Sequence, residues 1–89
     1  MKPAGIITYS PGPYGGMRAA MALRPFLAEL GVLSVSKLVG LPVVQDILKE
    51  DGTLADEANR AIKVLPAMLD QVEFLALAVL KQKEVEPAP

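Results

Sequence analysis

The spacing of apolar residues changes twice along the chain, and each change predicts an element. Ala4 to Tyr9 (Ala-Gly-Ile-Ile-Thr-Tyr) is rich in β-branched and aromatic residues and predicts a short buried strand. Ser10-Pro11-Gly12-Pro13-Tyr14-Gly15-Gly16 follows, where two prolines and three glycines forbid regular structure. From Met17 the period becomes helical. Ala19, Ala20, Leu23, Phe26, Leu27 and Leu30 fall three and four apart and form one apolar stripe. Pro25 removes a backbone donor inside that helix and predicts a kink, and Gly31 reads as its C-cap.

Val32 to Val35 is a second short strand, Ser36 to Pro42 a loop, and Val43 to Leu48 a short helix. Glu50-Asp51-Gly52 is a turn. Thr53 with Asp56 resembles a capping box, and Glu57 adds first-turn negative charge. The last helix is expected from about Leu54 to Lys83, with Ala58, Ala61, Ile62, Leu65, Met68, Leu69, Val72, Leu75, Ala76 and Val79 on its apolar stripe. Pro66 implies either a kink there or two abutting helices. Lys81 and Lys83 suit a helix C-terminus, and the residues after it read as a frayed tail.

Strand, glycine loop, helix, glycine and strand within about thirty residues is a βαβ unit, which implies parallel strands and a right-handed crossover. The chain has 89 residues, so it forms at most one small α/β domain. It contains no internal repeat.

Composition narrows the chemistry. A formal net charge of −1, scattered Lys and Arg, and only Tyr9, Tyr14, Phe26 and Phe74 as aromatics argue against nucleic-acid binding. The longest apolar run, Phe74 to Leu80, is too short to span a bilayer, so no membrane partner is expected and a cytoplasmic protein is. The chain has no His and no Cys. Zinc sites of the usual kind, Ser-His-Asp triads and thiol nucleophiles are therefore excluded, and an enzyme built on this chain must take its reactive group from a cofactor or a neighbouring chain. An apolar content of 52% is high for so short a chain and leaves hydrophobic surface for a partner or a second copy.

The glycine loop is the one constellation that carries chemistry. Glycines allow φ > 0 and close backbone approach, and the helix that follows presents its amides and a partial positive charge. Ligands of open α/β sheets sit at this strand edge. The loop lacks a Walker Gly-Lys-Ser/Thr ending and does not match Gly-x-Gly-x-x-Gly. On the residues alone, a ligand loop and an ordinary tight strand-to-helix turn stand level. Arg18 near the helix N-terminus either meets an anionic partner across an interface or is simply solvated, the plainer reading. Arg24 borders the stripe and reads as snorkelling, with its head in water.

The stretch Lys2 to Ala20, with Ser10-Pro11-Gly12-Pro13-Tyr14-Gly15-Gly16 at its centre, resembles the fourth strand and following loop of the NADPH-dependent FMN reductase family. Leu23-Arg24-Pro25-Phe26-Leu27-Ala28-Glu29-Leu30-Gly31 continues the likeness. Leu41-Pro42-Val43-Val44-Gln45 and Glu50-Asp51-Gly52 resemble the segment before the family's last helix. The resemblance implies part of a flavodoxin-like three-layer α/β fold: two short parallel strands, a crossover helix and a long C-terminal helix. Residues 1–83 would be the C-terminal half of that domain and 84–89 a disordered tail.

It further implies FMN and NADPH as cofactors, hydride transfer from NADPH to flavin, and contact of Ser10, Pro11, Gly12, Tyr14, Gly15 and Gly16 with the isoalloxazine ring, largely through backbone amides. No catalytic side chain and no metal ligand is implied. In the family, the phosphate-binding loop after the first strand and the Tyr- or Asn-containing segment after the third precede this region. The expectation is therefore an FMN-dependent NAD(P)H oxidoreductase of flavin- or quinone-reductase type, present as a fragment or an incomplete domain. The alternative is a non-enzymatic half-domain that self-associates without flavin. Either way, a homo-oligomer such as a homodimer, or pairing with a missing N-terminal half, is expected.

Overall fold

A computed structural model describes residues 1–55 and 59–89. Its elements in order are strand β1 (Lys2–Tyr9), helix α1 (Met17–Glu29), strand β2 (Val32–Leu41), a single 3-10 turn (Val44–Asp46), helix α2 (Arg60–Lys63) and helix α3 (Leu65–Val85). Asp56 and Glu57, which complete the capping box proposed with Thr53, fall outside the described residues, as does Ala58.

The two strands pair in parallel, with Ile6 opposite Leu38, Ile7 opposite Val39, Thr8 opposite Gly40 and Tyr9 opposite Leu41. Alternation then assigns the faces. A Cβ on Gly40, Thr8's partner, would meet Met17 of α1, whereas a Cβ on Gly5 would meet Met68 of α3. Thr8 and Gly5 lie an odd number of residues apart, so α1 and α3 cover opposite faces. This is the helix–sheet–helix layering expected of a partial flavodoxin-like α/β fold.

The core lies on the α3 face. Val35, Val39, Leu41, Ile47 and Met68 are buried together, and Ile62, Leu65, Val72 and Leu75 pack against them. On the other face, Ile6 and Ala20 are buried. Gly31 ends α1 as expected, at φ 78 and with its N–H on the Ala28 carbonyl. Pro66 stands in the first turn of α3, where its missing N–H has no helical partner to lose, so the two abutting helices are what forms.

Four expectations change. Strand β2 does not stop at Val35: it runs to Leu41, through the stretch expected to be a loop. Between the pairs Ala4–Ser34 and Ile6–Leu38 the strands advance unequally, so β2 bulges over Val35, Ser36 and Lys37 and then resumes pairing. Arg24 reaches the bulge, and its head bonds to the chain rather than to water alone. Its Nη2 donates to the carbonyls of Val35 and Ser36, each at 3.0 Å. From the other side, the Lys37 N–H donates to Gln71 Oε1 at 2.9 Å.

The α1 stripe is displaced too. Ala20 is fully buried and Leu27 half-buried, but Phe26 (62% exposed) and Leu30 (64%) face outward. The helix rests on Gly16, Ala20, Arg24 and Leu27, because two strands are too narrow to cover the full apolar arc. Finally, the last helical segment does not begin near Leu54. Leu54 bridges back to Leu48, and Asn59 caps α2 by accepting from the Ala61 N–H at 2.9 Å.

Candidate functional site

The loop Ser10–Gly16 joins the C-terminal end of β1 to the N-terminus of α1 and is latched to the segment that follows β2. Ser10 N–H donates to the Leu41 carbonyl at 3.2 Å, Val43 N–H to Gly12 O at 2.9 Å and Val44 N–H to Ser10 O at 3.0 Å. Gln45 Nε2 reaches Pro11 O at 3.2 Å, and Ser10 Oγ reaches Gly12 O at 3.1 Å. Tyr14 and Gly16 carbonyls accept from Met17 and Ala20 at the start of α1. Val43 closes the latch at φ 45, a left-handed conformation that a β-branched residue adopts at a cost of about 1–3 kcal/mol.

The loop's hydrogen-bonding groups are therefore divided by type. The carbonyls of Ser10, Pro11, Gly12, Tyr14 and Gly16 accept bonds from the chain. Its N–H groups at Gly12, Tyr14, Gly15 and Gly16 find no acceptor among the described residues. Helix α1 also begins without a side-chain cap and without an acidic residue in its first turn. The loop leaves more donors than acceptors free.

Its glycines do different work. Gly15 (φ 62) is buried, and a Cβ there would sit 3.1 Å from Pro42 N and 3.2 Å from Leu41 C. Gly16 (φ 75) would meet Thr8 Cβ at 2.9 Å, above a Thr8 Oγ1 that is itself buried and unpartnered among the described residues. Both positions are glycine because the chain's own backbone demands it. Gly12 is different: nothing lies within 4 Å of where its Cβ would stand. It is the loop glycine that faces open space.

Tyr14 is exposed, and the Arg18 guanidinium lies 5.8 Å from its ring centroid, within cation–π range. Neither earlier reading of Arg18 included that contact. A cavity of about 480 Å³ adjoins the end of β2 and is lined by Met17, Leu38, Gly40, Pro42 and Arg60 but by none of Ser10–Gly16. The loop is an open ledge rather than a closed pocket. Among the described residues no cluster of acidic side chains could hold a metal ion, and no helix is long and apolar enough to cross a membrane.

The segment Leu41–Gln45 is what periodicity missed at this site. Its resemblance to the segment before the last helix of FMN reductases was the available signal, because its role is played by backbone groups and not by side-chain pattern.

Parallel strands with a helix on each face, and a donor-rich glycine loop at their C-terminal edge, place the chain among flavodoxin-like α/β proteins. A model of the NADPH-dependent FMN reductase family matches residues 1–46, from β1 through the 3-10 turn, which is just over half the chain. The chain belongs to that family. No curated protein and no solved structure matched it.

The donor set fits a flavin ring. The edge of an isoalloxazine presents carbonyl oxygens and ring nitrogens, which are acceptors, and the free N–H groups at Gly12, Tyr14, Gly15 and Gly16 are their complement.

Proposed function

We propose that the chain acts as an FMN-dependent NAD(P)H oxidoreductase of flavin- or quinone-reductase type, with Ser10, Pro11, Gly12, Tyr14, Gly15 and Gly16 lying against the isoalloxazine ring. The observation that carries this is the bias of the loop, with four N–H groups free and most carbonyls engaged, at the strand edge where such folds hold ligands. FMN, when bound, supplies the capacity to take up a hydride from NADPH and pass electrons on.

The chain's own part is binding and orientation. Amides fixed by the latch to Leu41–Gln45 need no reorganisation when negative charge grows on the ring edge they face, which is when fixed donors contribute most. The uncapped start of α1 adds its partial positive charge to the same region. The lack of His and Cys is compatible with a reaction in which no side chain serves as nucleophile.

Gly12→Val is the informative variant. Gly15→Val would collide with Pro42 and Leu41 and so tests folding, whereas a side chain on Gly12 meets nothing in the chain. The wild-type chain is expected to quench FMN fluorescence on titration and to support FMN-dependent NADPH oxidation. Gly12→Val should weaken the flavin affinity by roughly tenfold or more, about 1.4 kcal/mol, with an unchanged thermal midpoint. Absence of quenching by the wild-type chain overturns the reading, and so does an unaltered affinity in Gly12→Val.

A further inference from the structure

Strand β2 breaks its regular pairing between Ser34 and Leu38, and side chains from two helices hold the break in place. Val35 is buried in the core under α3, so strict alternation would turn Ser36 to the α1 face. The Ser36 hydroxyl meets Gln71 of α3 instead. Gln71 Nε2 donates to Ser36 Oγ at 3.0 Å, and Gln71 Oε1 accepts from the Lys37 N–H at 2.9 Å. Arg24 of α1 holds the Val35 and Ser36 carbonyls. Bulges re-aim side chains and recur beside functional sites. This one borders a cavity of about 390 Å³, a volume within the range of organic-ligand clefts.

Every residue lining the cavity comes from β2 or α3, and none from β1. Met68 stands over Gly5 of β1, and Gln71, three residues on, reaches β2. A further step of three in the same rotational sense carries Phe74 past β2, with Asp70 one turn before it on that flank. The cavity therefore lies along the side of β2 away from β1. Val35 and Leu75 give it an apolar lining that is continuous with the core. Phe74, 74% exposed, supplies an aromatic wall. Asp70 is the one charged side chain that lines it.

We propose that this cavity binds a free arylalkylammonium, a small molecule with one aromatic ring and a protonated amine a few carbons away. An ammonium carries only donors and a positive charge, and the Asp70 carboxylate carries only acceptors and a negative one. Phe74 offers its ring for stacking or for a cation over its face. Asp70 and Phe74 stand four apart on one helix, so their Cβ atoms are about 5–6 Å apart, a spacing that suits the ring and amine of one such molecule. An anionic ligand meets repulsion from Asp70, and a neutral ring gains nothing from it. Gln71 is already tied to Ser36 and Lys37, so that wall is ordered before a ligand arrives. The cavity shares no residue with Ser10–Gly16 or with Leu41–Gln45, and the proposal is independent of flavin binding.

Phenethylammonium is the probe, titrated at neutral pH into the isotope-labelled full chain and followed by amide chemical shifts. Saturable shifts are expected in Ser34–Ser36 and Asp70–Leu75, with a Kd of about 1 mM or tighter. Phenethyl alcohol, of similar shape but uncharged, should bind at least about tenfold more weakly. Asp70→Asn should weaken the amine by about tenfold and bring it level with the alcohol. Asp70 and Phe74 are both exposed, so Asp70→Asn and Phe74→Ala should keep their helical circular dichroism, and Phe74→Ala should weaken both probes. Should either variant fail to fold, the comparison of amine with alcohol on the wild-type chain still decides. No saturable shift in these two segments up to about 10 mM, equal affinity for amine and alcohol, or an unaltered affinity in Asp70→Asn overturns the proposal. Asp70→Asn should leave FMN quenching as in the wild type, and a wild-type chain that binds the amine but fails to quench FMN fluorescence would sink the functional reading alone.

Discussion

Ile7 and Val39 are register partners on the same face of the same sheet, yet Val39 is 2% exposed and Ile7 is 53%. One step on, Leu41 is 8% exposed and its partner Tyr9 is 69%. Residue type does not explain the contrast, since all four are large and apolar. Cover does. Over β2 lie Met68 and Leu65 from α3, Ile62 from α2, and Ile47 from the segment that leaves the strand. The open side of β1 has no such neighbours among the described residues. An equally apolar strand is core where the chain folds back over it and surface where it does not.

The largest test of that contrast is a matched pair of truncations. Val39→Ala should cost about 2–3 kcal/mol through lost burial and the cavity left behind, at any protein concentration. Ile7→Ala should cost under about 0.5 kcal/mol in the isolated chain, as is usual for exposed positions, with a larger loss appearing only where chains associate. Urea unfolding of both variants at two protein concentrations reads the difference. Equal costs for the two would mean that β1 is covered in a way these neighbours do not account for.

The same contrast explains what could be read in advance. Ala4–Tyr9 and the loop after it were legible, because strand composition and Pro/Gly punctuation are local signals. Gly15 and Gly16 were legible as special positions, but the reason, their contact with Pro42 and Thr8, is tertiary. The second half of β2 was not legible. Ser36-Lys37 reads as a polar break, and the groups that satisfy its backbone, Arg24 and Gln71, stand 12 and 34 positions away. The outward turn of Phe26 escaped for a related reason. An apolar stripe records how much a helix can bury, and not how wide a sheet it has been given.

Arg24 supplies the second test. Its Nη2 serves the Val35 and Ser36 carbonyls at the bulge, while its Nε is buried without a partner among the described residues. Arg24→Ala leaves those carbonyls without their donor at the point where β2 rejoins β1, and should cost about 1.5 kcal/mol. Arg24→Lys should recover part of it, since one ammonium nitrogen can donate to both carbonyls as Nη2 does, but from a shorter stem. Hydrogen exchange gives the sharper readout. Protection should fall in Leu38–Leu41, which pair beyond the bulge, before it falls in Val32–Ser34. A uniform loss along β2 would show that the bulge and the strand beyond it stand without the arginine.

The smallest expected effect lies in the turn that seats Ile47 over β2, a cover with no counterpart over β1. Lys49 N–H donates to Thr53 O at 2.8 Å and Ala55 N–H to Ile47 O at 2.7 Å. The Asp51 carboxylate holds the turn by accepting from Thr53 Oγ1 at 2.6 Å and from Thr53 N–H at 3.0 Å. Those two bonds, the hydroxyl first, pull its pKa below the ordinary 3.8. A carboxyl lowered by folding binds fewer protons in the native state, so its contribution is complete above 3.8 and is lost as pH falls through the folded value. Asp51 is fully exposed, and water screens the effect to a small one. Asp51→Asn should therefore trail the wild type slightly at neutral pH and converge with it in acid. A gap that stays constant from about pH 6 to about pH 2 would place the contribution of Asp51 in its shape rather than its charge.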